Sequence, residues 1–180
     1  MASKLIVGLG NPGDEFKNSR HNIGFKCLDY IASKLEIPLK FEKKKSVFGK
    51  KRFKGMDVIV LKPQTFSNLS GEAVLYIASF LKVDIKDIFV VYDDITRNFG
   101  EVEIEKRLEK VSHNAIKALA MSLKSGDFIK CAIGIGPRPT GADEEQFYLG
   151  NFTDAEESDF QELFEKTYDL ALSSLAIEIV

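Results

Sequence analysis

The sequence predicts an α/β fold: one domain over residues 1–180, a sheet held between two layers of helices. Short apolar runs such as Leu5-Ile6-Val7 and Ile88-Phe89-Val90-Val91-Tyr92 read as buried strands. Between them lie longer stretches whose apolar residues recur every three or four positions, the stripe of a helix packed on one side. The two kinds of segment alternate along the chain, as expected where helices cover both faces of a sheet. A length of 180 residues suits one domain with a proper core.

Residues 4–9 form the first strand. Asn22 to Leu35 forms a helix, with Ile23, Cys27, Leu28, Ile31 and Leu35 on one face. Ser46 to Phe53 is expected as an exposed strand, and Asp57 to Leu61 as a buried one stopped by Pro63. Gly71 to Lys82 is a helix with Ser70 as its N-cap and Val74, Ile77, Ala78 and Leu81 facing inward. Ile88 to Tyr92 is a buried strand, and Val102 to Lys106 alternates as an edge strand does. Asn114 to Lys124 is a helix with Ser112 as candidate cap. Ile129 to Ile135 is a strand, followed by the loop GPRPTGAD. Thr153 to Ile177 reads as one long helix, with Asp154, Glu156 and Glu157 in its first turn, where acids suit the helix dipole.

Composition narrows the function classes. No stretch approaches the roughly 18 apolar residues of a membrane span, and the N-terminus lacks the apolar length of a signal peptide. A cytoplasmic location with no membrane partner is the expectation. Cys27 and Cys131 are the only cysteines; they fall in a helix and a strand pattern and read as small core residues. Net charge is only −2, yet its distribution is uneven. Residues 40–54 hold eight Lys/Arg and one Glu, while residues 143–180 hold eleven Asp/Glu and one Lys. The basic stretch suits phosphate binding, or equally a solvated hairpin with lysine-protected edges.

In folds of this kind, ligands sit beyond the carboxyl ends of the strands, so the polar residues there are the candidates. They are Asn11, then Ser19-Arg20-His21-Asn22, then Asn68, Asp93-Asp94 and His113-Asn114. Each alone also reads as a turn or helix-start residue. Together they supply a general base, an acid to orient it, and carboxamides whose NH₂ groups can stabilise an oxyanion. No G-x-S-x-G elbow marks a serine nucleophile, Cys27 lies in mid-helix, and two distant histidines lack zinc spacing. GLGNPG at 8–13 matches a dinucleotide-binding glycine pattern, with Asp29 as the later acid. The helix such a loop requires does not begin until about Asn22, so the phosphate lacks its N-terminus. This points away from NAD(P) or flavin; no cofactor and no metal is expected. What fits is a water-activating His21, its tautomer fixed by a carboxylate.

GLGNPG, then Arg20, His21, Asn22 and Gly24, then the Lys62–Gly71 stretch KPQTFSNLSG, Tyr92-Asp93-Asp94, His113-Asn114 and IGIG at 133–136 together resemble the bacterial-type peptidyl-tRNA hydrolase family. The resemblance runs from residue 4 to about 152. It implies a twisted mixed β-sheet flanked by helices, usually in a monomer with no obligate protein partner. It implies hydrolysis of the ester between a nascent peptide and the 3′ ribose of tRNA. His21 falls on the family's base, Asp93 on its orienting acid, and Asn11, Asn68 and Asn114 on amides around the reacting carbonyl and water. Phe16, Phe66 and Ser67 fall at the substrate, and His113 in a tRNA-facing loop.

There are departures from the family pattern. Phe16 stands for a usual tyrosine, Ser67 for a methionine of the apolar wall, and Tyr92 for a common histidine. A glycine-rich loop is replaced by Arg107-Leu108-Glu109-Lys110-Val111-Ser112. Glu105 and Ala132 occupy the positions of a lysine and an arginine that clamp the tRNA 5′ phosphate, leaving Lys106, Arg107 and Lys130 as the nearest substitutes. Two other readings stay open: a drifted RNA-binding relative with little turnover, and a nucleotide-cofactor enzyme.

Overall fold

A computed structural model describes residues 2–180. Among these residues, seven strands form one mixed sheet: β1 (Ser3–Gly8), β2 (Phe41–Glu42), β3 (Ser46–Phe53), β4 (Met56–Pro63), β5 (Ile88–Asn98), β6 (Val102–Glu105) and β7 (Ile129–Gly136). Their order across the sheet is β2-β3-β4-β1-β5-β7-β6. The central strands β4, β1, β5 and β7 run parallel, and the outer strands pair antiparallel. Parallel central strands buried on both faces explain the unbroken apolar runs of the sequence.

Side-chain alternation divides the core in two. Ile6, Val58, Val60, Phe89 and Val91 meet helix α1 (Ile23–Lys34) and helix α6 (Phe160–Ser174) on one face. Leu5, Val7, Ile59, Leu61 and Val90 meet α2 (Gly71–Phe80) and α3 (Asn114–Leu123) on the other. Both cysteines are buried free thiols in the first of these cores. Among the described residues, no helix is long and apolar enough to cross a membrane.

Five expectations need correction. Strand β5 does not stop at Tyr92 but runs to Asn98, because pairing with β7 continues through Asp93↔Ile133 and Asp94↔Gly134. Glycine at 134 and 136 lets the β5 carbonyls approach where a Cβ would stand 2.0 Å from Asn98 O and 2.4 Å from Ile95 O. Asp93 is therefore on the sheet, not in a loop after it. The cap of α3 is His113, not Ser112, since His113 Nδ1 accepts the Ala115 N–H. Ser70 does precede α2, but its hydroxyl donates back to Ser67 O, because its backbone is already helical and cannot reach forward. Strand β3 is half-buried rather than exposed: Ser46, Phe48 and Gly49 are covered, with Pro38 O packed where a Gly49 side chain would go.

The fifth correction concerns the acidic tail, which forms two helices, α5 (Asp154–Ser158) and α6, after a short α4 (Glu144–Leu149) that the sequence pattern did not announce. Thr153 and Glu156 close a capping box on α5. The chain turns at Asp159 and sets the Phe160 ring against Phe152 and Phe164, at centroid distances of 5.0 and 5.1 Å. Helix α4 starts at Asp143, whose carboxylate accepts the Gln146 N–H.

The opening GLGNPG works by close approach. A Cβ on Gly8 would meet Gly24 O at 2.4 Å, and one on Gly24 would meet Leu9 O at 2.4 Å and Val91 O at 2.7 Å. All three obstacles are backbone, so neither side can yield. Gly24→Ala is expected to cost about 3 kcal/mol, the upper range for overpacking. The check is urea denaturation; an unchanged midpoint would show that the start of α1 is free to move off β1. After Gly13, which turns at φ 110°, the chain makes irregular turns, and α1 starts only at Ile23.

Candidate active site

The strand ends converge. Leu9 still bonds to the sheet, its N–H donating to Val91 O at 3.0 Å, and Asn11 follows at the carboxyl edge of β1. Asn22, buried at the start of α1, clasps the Asn11 backbone from both sides. The Asn11 N–H donates to Asn22 Oδ1, and Asn22 Nδ2 donates to Asn11 O, both at 2.8 Å. The Asn11 side chain then accepts the Ser67 N–H through Oδ1 at 3.0 Å, tying the first loop to the turn Ser67–Leu69. With its oxygen so used, the Asn11 amide presents its NH₂ as donor.

His21 sits between these anchors on the 3₁₀ turn Arg20–Asn22. Its neighbour Arg20 is held by a bidentate pair with Glu156, at 2.7 and 2.9 Å, and its guanidinium lies 4.7 Å from the Phe147 ring centroid. The Arg20 N–H donates to Gly150 O. His21 is thus carried on a backbone fixed at both flanks, as a preorganised site requires.

Asp93, 1 % exposed, lies between two histidines. His21 Nδ1 is 2.8 Å from Oδ2 and His113 Nε2 is 2.8 Å from Oδ1. The tautomers follow from the other partners. His113 Nδ1 accepts the Ala115 N–H, so its Nε2 carries the proton and donates to Asp93. His21 donates from Nδ1 to Asp93, which leaves Nε2 as acceptor, and Ser67 Oγ sits 2.8 Å from it. The two imidazoles stack with centroids 5.5 Å apart and planes 11° from parallel, and the edge of Tyr148 closes on His21 at 5.5 Å.

Electrostatics match this geometry. Burial raises the Asp93 carboxyl, but the charges of His113 and His21 and their hydrogen bonds outweigh it and hold the group well below its ordinary range. For His21, burial disfavours the charged ring, yet the Asp93 charge and hydrogen bond prevail and raise its pKa above the ordinary 6.5. The Asp93 carboxylate is thus placed to stabilise the protonated form of His21.

His21, Asp93 and His113 each offer one donor atom within 4.8 Å of the others, close enough for a metal set on distance alone. Their chemistry does not fit one. Both ring nitrogens that face Asp93 carry protons and have no lone pair to give.

A cavity of about 170 Å³ opens at His21, lined also by Ser67, Asn68, Asn114, His113 and Tyr148. A wider groove of about 530 Å³ joins Asn11 and His21 along α4. Phe16 and the exposed Phe66 stand edge to face with centroids 6.1 Å apart, an apolar pair beside Ser67. Asn11, His21, Asp93, Ser67, Asn68, Asn114 and His113 are therefore brought together.

The phosphate-gripping candidates fare differently. Lys106 and Arg107 are exposed. Lys130 is 2 % exposed, with its ammonium donating to Gly126 O and Phe128 O at 2.5 and 2.9 Å. It faces the α2/α3 side of the sheet and cannot grip a substrate; burial also lowers its pKa. His113 turns inward to Asp93 rather than outward to a nucleic acid. Ser67 does more than thin an apolar wall, since its hydroxyl contacts His21 Nε2. Glu105 is engaged by Arg97, which also pairs with Asp94 and Glu103. Ala132 is buried in β7.

Sequence reasoning missed three roles: Asn22 as the clasp, Tyr148 as the wall, and His113 as second partner of Asp93. Asn22 was within reach, as the carboxamide beside the expected base. Tyr148 was not, because α4 carries no periodic signal.

The chain is similar to known proteins along nearly its whole length. The peptidyl-tRNA hydrolase family model matches residues 5–179. A peptidyl-tRNA hydrolase of Caldanaerobacter subterraneus subsp. tengcongensis is 39% identical over 168 residues, covering 93% of this chain and 90% of the relative. One from Fusobacterium nucleatum is 38% identical over 176 residues, covering 97% and 91%. Among solved structures, the Arg119Gln mutant of the Acinetobacter baumannii peptidyl-tRNA hydrolase superposes with a TM-score of 0.86 at 29% identity, covering 96% of this chain and 88% of that one.

Proposed function

The chain belongs to the peptidyl-tRNA hydrolase family, and from that premise we propose that His21, oriented by Asp93, is the base of its reaction. The enzyme hydrolyses the ester that joins a peptide to tRNA, and the reaction needs no metal. The observation that carries the proposal is the 2.8 Å bond from His21 Nδ1 to Asp93, whose carboxyl is held well below its ordinary range, on a ring that lines the cavity. His21 Nε2 takes a proton from the attacking water as its oxygen bonds to the ester carbonyl carbon. The imidazolium so formed is stabilised by Asp93 and returns the proton to the ribose oxygen as it leaves. Amides of Asn11, Asn68 and Asn114 supply donors around the carbonyl where negative charge develops. The Phe16–Phe66 pair suits an apolar peptide side chain.

The binding-only reading has no support, since the groups a hydrolysis needs are all assembled. The cofactor reading fails on the loop itself, because α1 begins ten residues after Gly13. The test is hydrolysis of N-acetylphenylalanyl-tRNA with and without chelator. Turnover unaffected by the chelator is expected; inhibition would contradict the proposal.

Grip on tRNA falls to Lys106 and Arg107, given the burial of Lys130. Neutralising the two together is expected to weaken tRNA binding and to lower the slope of log affinity against log salt by about one per lost phosphate contact. Lys130→Met is expected to leave that slope unchanged; filter binding over a salt series checks both. We further propose a cytoplasmic monomer of one domain. One continuous sheet, the family match across nearly the whole chain and two buried free thiols support that reading.

A further inference from the structure

The basic stretch 40–54 divides in two. Lys50, Lys51 and Lys54 pair with Asp57, Glu36 and Glu178 at 3.3, 3.1 and 3.1 Å. Lys43, Lys44 and Lys45 are exposed and, among the described residues, pair with no carboxylate. These three form the tip between β2 and β3. The Lys43 N–H donates to Ser46 O and the Ser46 N–H to Lys43 O, both at 3.0 Å, which closes a two-residue turn. Lys44 and Lys45 occupy its centre at φ 47° and 54°. Asn-Gly is the pair such a turn favours, because a lysine Cβ crowds the backbone in the left-handed region. Two lysines stand there against that preference, and what they add is charge.

The tip adjoins the site. Ser46 pairs with Pro63 at the carboxyl end of β4, and the Gln64 N–H donates to Lys45 O at 2.6 Å. Three residues beyond Gln64, Ser67 touches His21 Nε2. A cavity of about 470 Å³ opens between the tip and the start of α2, lined by Lys44, Lys45, Thr65, Asn68 and Glu72. Glu72 is the one carboxylate in this lining, so two ammonium groups face it. The Thr65 hydroxyl is buried without a hydrogen-bond partner among the described residues. Asn68 also lines the cavity at His21, so the two cavities meet at one side chain. Tyr76 and Phe80, one turn apart on α2, hold their rings 11° from parallel with centroids 6.1 Å apart. The Lys43 ammonium lies 4.5 Å from the Phe80 centroid, and that of Lys44 lies 5.4 Å from the Tyr76 centroid. The cationic heads are thus carried on an apolar shelf.

We propose that the Lys43–Lys45 tip grips phosphates of the unpaired 3′ strand of tRNA, the strand that ends at the ester. The inference rests on His21 as the base of peptidyl-tRNA hydrolysis and places the RNA arm of that substrate. Two arms leave the reacting carbonyl. The Phe16–Phe66 pair suits the peptide, whereas the RNA arm carries a negative charge at every nucleotide. Lysine ammonium groups, with rotatable donors, suit the phosphates of a flexible single strand. Lys106 and Arg107 follow β6 at the opposite edge of the sheet, so the site lies between two basic contacts.

The experiment measures kcat and KM of the full chain on three esters of N-acetylphenylalanine. One is on whole tRNA, one on a short oligonucleotide of its 3′ end, and one on adenosine, which has no phosphate. Lys44→Gln/Lys45→Gln and Lys44→Asn/Lys45→Gly are expected to raise KM for the first two esters by about tenfold at low salt, with kcat kept. The slope of log kcat/KM against log salt should fall by about 0.7 for each lost single-strand contact. The adenosine ester should be cleaved as by wild type. The Asn-Gly variant should also melt at a higher temperature, because it relieves the turn, which separates lost grip from lost fold. Lys50→Gln/Lys54→Gln removes the same charge from the paired half of the stretch and is expected to match wild type. Unchanged KM and salt slope on tRNA overturn the proposal. So does an equal defect in the Lys50/Lys54 variant, which would make it an effect of net charge. A defect on the adenosine ester overturns it too, as does one on tRNA that is absent on the oligonucleotide, which would move the contact to the paired stem. A defect that appears only when the peptide is acidic would assign the tip to the peptide arm instead. Activity in His21→Ala is a different failure: it removes the base and leaves the KM effect of the tip as measured.

Discussion

His21→Ala is expected to lower kcat for peptidyl-tRNA by about 10⁴-fold, the upper range for loss of a general base and close to 5.5 kcal/mol of barrier. The loss should fall on kcat more than on KM, because the proposed role of His21 is to activate the attacking water, while the groove along α4 and the Phe16–Phe66 pair are left in place. The fold should tolerate it. His21 lies on a turn whose backbone is held by Arg20, Asn22 and Gly150 rather than by its own ring. The variant keeps Asp93 paired to His113, so no buried charge is stranded. Circular dichroism and a melting curve beside the rate measurement separate chemistry from unfolding. A variant that is folded and within tenfold of wild-type activity contradicts the assignment.

Asp93→Asn is expected to cost less, about 10²-fold in kcat/KM, because orientation and charge support are lost while the base remains. It should also cost stability. The carboxylate accepts from two imidazoles, and an asparagine replaces one accepting oxygen with a donor, leaving one N–H of His21 or His113 unsatisfied. A buried unsatisfied donor costs about 1–3 kcal/mol. The sign with pH is fixed by the native carboxyl, which is held below its ordinary 3.8. Its contribution is present above 3.8 and is lost as pH falls through the lower native value. Wild type should therefore lose more stability than Asp93→Asn between pH 4 and strong acid, as read from urea midpoints across that range.

The sequence was most legible where burial is two-sided. Strands β1, β4, β5 and β7 announce themselves because parallel strands under helices must be apolar throughout. The single stripes of α1, α2 and α3 are legible for the complementary reason. Polar stretches were harder. Residues 93–98, DDITRN, read as loop, yet they pair with a glycine-bearing strand while Asp94 and Arg97 satisfy each other at 2.9 Å. Helix α4 is six residues long, too short for any period to show.

Within the site, identities were legible and directions were not. Asn11, His21 and Asp93 can be named from chemistry and position after the apolar runs. Lys130 was misplaced because a lysine was assumed to face water, although Ala132, two residues on, shares its side of β7 and is buried. Ser67 was read as a smaller version of an apolar wall residue. Its contact with His21 depends on the 3₁₀ turn and on the Asn11 clasp, neither of which has a local sequence signature.

The most direct test of the account is the pH dependence of kcat/KM for wild type and Asp93→Asn side by side. His21 must be neutral to accept a proton, so activity should rise with pH through its pKa. In wild type that limb is expected above the ordinary 6.5, because Asp93 outweighs burial. In Asp93→Asn burial acts alone and the limb is expected to fall below 6.5. An acid limb at the same pH in both proteins would contradict the claim that an ionised Asp93 tunes His21 as the base.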